Sequence, residues 1–160
     1  SAAHRIDAGH FAGSEEAFRH WDEDGEVEAG CAKCHSAAGL PVFLKEGVNV
    51  SEHLANGLKC ATCHNDLTTF TRFSVGKVSF PSGASLGFAT GEEAVDSDLC
   101  LNCHQGRQSG SGLAGSIARA AVGADEASEA LRFSNPHYFA AGATLFGTEA
   151  GGPYEYEGKE

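Results

Sequence analysis

Hydrophobic residues in this chain fall in short clusters broken by glycine and polar stretches, and no long periodic run is sustained. The clusters predict short elements. "SEEAFRHWDEDG" reads as a helix with Ser14 as N-cap and Gly25 beyond its end. In "SNPHYFAAGATLF", Asn135 suits an N-cap and Pro136 the first helical position, so His137 is expected to project from the first turn. "SIARAAVG" and "DEASEALRF" read as two more short helices, reached from "QGRQSGSGLAG" as a flexible connector. In "TTFTRFSVGKVSFPSGASLGF", alternating β-branched and aromatic residues around "PSG" predict a small β-hairpin. A lone hairpin is marginal in water, so this one is expected to lean on a neighbour. The predicted fold is mostly irregular, with short α-helices and one small β-hairpin.

Composition sharpens this picture. In 160 residues there are 21 glycines and one tryptophan, and 41% of positions are hydrophobic, a thin supply for an ordinary core. Residues 1–160 are expected to form one compact unit whose interior holds something besides side chains. No apolar segment approaches the roughly 18 residues of a membrane span. "SAAHRIDAGH" lacks a basic start followed by an apolar run, so either the chain is cytoplasmic or a leader has been removed. Ser1, Ala2 and Ala3 suit a processed start. The net charge of -11, with scattered lysines and arginines, argues against nucleic-acid binding, which needs clustered cations.

All six cysteines lie in three pairs of one spacing, each followed at once by histidine: Cys31, Cys34 and His35; Cys60, Cys63 and His64; Cys100, Cys103 and His104. Redox-active C-x-x-C motifs usually occur once, at a helix start in a βαβ unit, and nothing here has that pattern. Zinc takes four ligands tetrahedrally, and six sulfurs fit that number awkwardly, although histidines would make up a count. Zinc also sets no demand for histidine at one fixed offset. Covalent c-type haem does. Two thiols form thioethers with two vinyl groups of one porphyrin, and the next residue lies beneath the iron. Three haems would supply the apolar faces the side chains lack, giving a haem-cored fold.

The opposite face of each iron needs a second ligand. Methionine is absent, which leaves histidine. Eight histidines less three proximal ones leave His4, His10, His20, His53 and His137, two more than three irons require. His137 and His20 sit on predicted helices, and His10 lies in the glycine-bounded "AGHFAG". His53 is an alternate that would reach a neighbouring haem more readily than the one at His64. His4, near the terminus, reads as a surface residue. Bis-histidine irons would be low-spin and of low potential. Arg107 suits a haem propionate, or is a solvated arginine in a glycine-rich loop. Residues 147–160, with Tyr154 and Tyr156, read as a loose tail or as a docking strand.

Three stretches carry a resemblance: "EEAFRHWDEDGE...CAKCHSAAGL", "VSFPSGAS...LCLNCHQGRQS" and "NPHYFAAGATLFGTEAGGPYEYEGK". Together they cover most of the chain, which resembles the bacterial multihaem c-type cytochromes of the secreted type. The resemblance implies distal ligation at the "GHFAG", "FRHW" and "NPHY" positions, which are His10, His20 and His137. It implies electron transfer through three haem c groups, in the periplasm or outside the cell. Partners would be other redox proteins or further copies of the chain. Many such proteins continue past the "YEYEGK" position into further haem motifs. The stop at Glu160 is expected to mark a minimal three-haem unit or a subunit that repeats by assembly, as in conductive filaments. An enzymatic alternative, a multihaem reductase, needs an iron with an open position, and no C-x-x-C-K motif marks one.

With haem as most of the core, the haem-free chain is expected to be largely unfolded. NMR of haem-free protein checks this: collapsed amide dispersion is the expected result, and a well-dispersed spectrum would contradict it.

Overall fold

A computed structural model describes residues 15–88, 95–123, 125–137 and 140–154. The chain divides into two units, Ser1–Ser74 and Val75–Glu160. Short helices and two-residue to three-residue antiparallel strand pairs make up both, in keeping with the predicted fold class.

The first unit opens with α1, Glu15–Arg19, one turn long. The expected helix running toward Gly25 stops early, and His20 lies in the turn that follows. Asp22, Glu23 and Asp24 explain the stop, because three acidic residues oppose the negative end of the helix dipole. Arg19 turns back to Asp22 instead, Nε to Oδ2 at 2.6 Å. Strand β1, Glu26–Val27, pairs antiparallel with β2, Glu52–His53, placing Glu26 opposite His53. Between them run α2, Ala29–His35, and α3, Gly39–Glu46. These helices meet closely at Gly39, where a Cβ would stand 2.0 Å from the Ala32 carbonyl oxygen. Ser36 makes the corner: its Oγ donates to Ala32 O at 2.7 Å and accepts from Gly39 N at 2.9 Å.

Helix α4, Cys60–Cys63, runs directly into β3, His64–Asp66, which pairs with β4, Thr71–Arg72. Buried Thr62 ties α4 to the preceding corner, donating to Ala37 O at 2.7 Å and accepting from Lys59 N at 3.0 Å.

The second unit holds the expected hairpin. Strands β5, Val78–Ser79, and β6, Ser85–Leu86, pair across "PSG", with Val78 opposite Leu86 and Ser79 opposite Ser85. It leans on a small cluster of Val78, Phe80, Leu101 and Ala150. Leu101 comes from α5, Asp96–His104. Helix α6 spans Gly110–Ala120, so half of the expected connector is helical. Ser109 is the reason: its Oγ caps the helix by accepting from Gly112 N at 3.1 Å. The expected helix in "DEASEALRF" is absent from its described residues. There Ser128 Oγ accepts from Ala130 N at 3.2 Å, a local bond that competes with the helical ladder.

The last helix, α7, spans Ala141–Phe146 and leads into a 3-10 turn, Gly147–Glu149. It starts later than expected, and His137 precedes it. Asn135 Oδ1 accepts from His137 N at 2.9 Å, only two residues on, and closes an Asx turn instead of a helix. His137 takes a left-handed φ of 79° there. Gly142 lets α7 approach α5, since a Cβ would meet Leu101 Cδ2 at 2.8 Å and His104 O at 2.9 Å. Beyond α7 the chain is bonded into its own unit: Ser82 Oγ donates to Ala150 O at 2.6 Å, Gly110 N to Gly151 O at 3.0 Å, and Tyr154 OH to Ser134 O at 3.3 Å. Tyr156 lies outside the described residues.

The corner at Gly39 generates a prediction. Gly39→Ala drives a methyl group into backbone and is expected to destabilise the protein by about 1–3 kcal/mol. At Gly76 a methyl meets nothing within 4 Å. Gly76→Ala is expected to change stability by less than about 0.5 kcal/mol. Chemical denaturation of the two variants checks the contrast.

Candidate functional site

Each C-x-x-C pair sits on a helix, and residues three apart share one helical face. On α5 the division is sharp. Asp98, Leu99, Leu101 and Asn102 are buried, while Cys100 is exposed and Cys103 and His104 are half-buried. On α2, Ala32 faces inward and Cys31, Cys34 and His35 are half-buried. On α4, Thr62 faces inward and Cys60 is exposed. The inward residues anchor the helix, so the thiols are left on the accessible side. None of the six cysteines is in a disulfide.

Two of the histidines after these pairs show how their protons are placed. His35 Nδ1 lies 2.6 Å from Ala17 O, and His64 Nδ1 lies 2.6 Å from Phe70 O. A carbonyl only accepts, so a neutral ring placed this way holds its proton on Nδ1 and its lone pair on Nε2. That is the tautomer a metal-ligating imidazole takes when its other nitrogen donates to a carbonyl. Ala17 lies in α1, so this one-turn helix sets the carbonyl beside His35. Around His35, Trp21 lies with its ring centroid 5.2 Å away and Phe18 at 6.2 Å. Around His64, Phe70 stands edge-on at 5.4 Å.

The remaining histidines are placed as follows. His20 is exposed and stacks edge-on against Trp21 at 4.9 Å, so Trp21 touches both His20 and His35. His53 is exposed on β2. His137 belongs to the unit that carries the third pair, where Arg107 N donates to Pro136 O at 3.0 Å. Burial, and after it the Arg107 cation, push the His137 imidazole below its ordinary pKa, toward the neutral form that binds metals. His4 and His10 lie outside the described residues.

Sequence reasoning did not find Ala17, Asp66 or Phe70. Ala17 and Phe70 act through backbone carbonyls, which have no signature in residue type. Asp66 is read only through its bonds: its Oδ1 accepts from Thr68 N at 2.7 Å and Thr69 N at 3.2 Å. Those bonds, the one from Thr68 first, hold the Asp66 carboxyl below its ordinary pKa.

The donor set suits covalent haem: paired thiols on one helical face, a histidine next in sequence, and an Nε2 lone pair where the tautomer is defined. Among the described residues the buried apolar set is small, and Leu67, Phe70, Phe133 and Leu145 are each at least half exposed.

Repeated thiol pairs of this kind, each with its histidine, define the multihaem c-type cytochromes as a class. The family described as cytochrome c7 and related cytochrome c matches residues 16–119, which include all three motifs, and the chain belongs to that family. Membership implies covalently bound haem c and a role in electron transfer. Among curated proteins, the C-type polyheme cytochrome OmcB of Geobacter sulfurreducens is 28% identical over 169 residues, covering 88% of this chain and 21% of OmcB. The C-type polyheme cytochrome OmcC of Geobacter sulfurreducens is 28% identical over 167 residues, covering 86% of this chain and 20% of OmcC. The chain thus spans about a fifth of the length of these relatives. No solved structure matches it. Among the described residues, no helix is long and apolar enough to cross a membrane.

The Nδ1 contacts predict a proton on Nδ1 of both His35 and His64. Long-range proton–nitrogen correlation spectra of the reduced protein check this, and a proton found on Nε2 of either ring would contradict it.

Proposed function

We propose that this chain carries electrons through three covalently attached haem c groups. The observation that carries the reading is that every cysteine belongs to a C-x-x-C-H motif. Cys31 and Cys34, Cys60 and Cys63, and Cys100 and Cys103 would form the thioethers. His35, His64 and His104 would be the proximal ligands. His10, His20 and His137 would close the opposite faces, with His53 as the alternate. The neutral tendency of His137 and the aromatic setting of His20 support their roles.

When bound, the iron supplies a one-electron couple, and the protein supplies spacing, potential and solvent access. Phe18, Trp21 and Phe70 would shield proximal imidazoles from water. Arg107 would pair with a propionate, since a guanidinium matches a carboxylate in two hydrogen bonds. With two nitrogen ligands on each iron, the chain is an electron carrier of low potential and not an enzyme. The resemblance to secreted multihaem cytochromes supports a periplasmic or extracellular setting. Redox proteins would be its partners. Assembly of copies into a filament would lengthen the haem chain, with surplus histidines available for ligation between copies.

Haem counting and a low-temperature spin-state spectrum test the core of this reading. Three haems per chain, all low-spin, with midpoints below the hydrogen electrode are expected. A resting high-spin iron would favour a reductase, and midpoints well positive of the hydrogen electrode would contradict bis-histidine ligation. Electron microscopy of native material tests filament assembly.

A further inference from the structure

The β3–β4 hairpin has an odd construction for a surface element. Phe70, at its turn, is 58% exposed, so its ring is not there to build a core. Its backbone takes φ +55°, a left-handed conformation uncommon for a residue other than glycine. That conformation accompanies a carbonyl 2.6 Å from His64 Nδ1.

Several bonds fix the chain on either side of Phe70. The Asx turn at Asp66 gathers Thr68 N and Thr69 N. The hydroxyls of Thr69 and Thr71 bond to each other at 2.7 Å, on either side of Phe70. At the base, Phe73 N donates to Cys63 O at 3.0 Å, and His64 stands opposite Arg72. One strand-turn-strand of nine residues thus starts on the histidine and returns a carbonyl to it. His35 is served differently, by Ala17, 18 residues upstream on another element.

We infer that this hairpin is a cradle that tunes His64, with Asp66 and Phe70 as its positioning residues. The inference rests on the reading of His64 as a proximal ligand. A donated Nδ1–H bond fixes the ring and makes Nε2 a stronger electron donor. A stronger donor favours Fe(III), so the cradle lowers the potential of the haem at Cys60 and Cys63.

Two pairs of variants of the haem-loaded protein test it. Phe70→Gly and Phe70→Val both remove the ring and change no charge. Glycine adopts a positive φ without strain, and β-branched valine resists it. Asp66→Asn and Asp66→Ala both remove one negative charge, and only asparagine keeps the turn's acceptor. The midpoint of each haem and the haem count are measured for all four. Phe70→Val is expected to lie above Phe70→Gly, and Asp66→Ala above Asp66→Asn, at the second haem alone. The expected shift in the Fe(III)/Fe(II) ratio is on the order of tenfold, about 59 mV for one electron. Equal midpoints within both pairs overturn the inference, and the Asp66 pair decides if Phe70→Val fails to load haem. The ligand reading fails by a different sign: fewer than three haems in the parent, or a second-haem spectrum unchanged by His64→Met.

Discussion

A neutral imidazole has one proton for two nitrogens, and an acceptor beside one of them decides where that proton goes. In this chain a backbone carbonyl stands 2.6 Å from Nδ1 of His35 and of His64. Much local structure is arranged around those two contacts. Helix α1 ends after one turn and sets the Ala17 carbonyl beside His35, and the aromatic residues Phe18 and Trp21 come with it. The β3–β4 hairpin bends through a left-handed Phe70 for the same purpose. The two solutions differ in origin, one remote in sequence and one local. The surroundings of the two rings can therefore vary independently.

The second organising constraint is the scarcity of ordinary core. Phe18, Val27, Ala32 and Leu40 are buried in the first unit, and Val78, Phe80, Leu99, Leu101 and Ala150 in the second. Polar groups share the interior, among them Ser36, Thr62 and Asp98. Ser36 and Thr62 are hydrogen-bonded to the backbone at the α2–α3 corner, where close contact at Gly39 replaces side-chain packing. Asp98 ties α5 to the preceding segment by accepting from Phe88 N at 2.6 Å. Such a scaffold holds attachment helices in place with few apolar contacts. It suits a family whose members bind haem covalently.

The attachment chemistry was legible from residue types alone. Spacing of two cysteines and a histidine is a covalent requirement, and family membership agrees with it. The hairpin around "PSG" was also legible, because alternation and turn residues are local signals. The helix boundaries were less so. Asn135 is equally suited to capping a helix and to closing an Asx turn, and its side chain took the N–H two residues on. Ser109 lies in the expected linker but caps α6, and Ser128 lies in an expected helix but closes a turn. In each case a short polar side chain chooses among nearby backbone donors, and the differences in energy are small. Ala17, Asp66 and Phe70 left no trace, since a carbonyl belongs to every residue type. The sequence by itself determined which residues are candidates to hold haem, because that depends on covalent chemistry at fixed spacing. Tertiary structure alone decided which carbonyls meet His35 and His64, because that depends on which elements the folded backbone brings beside each ring.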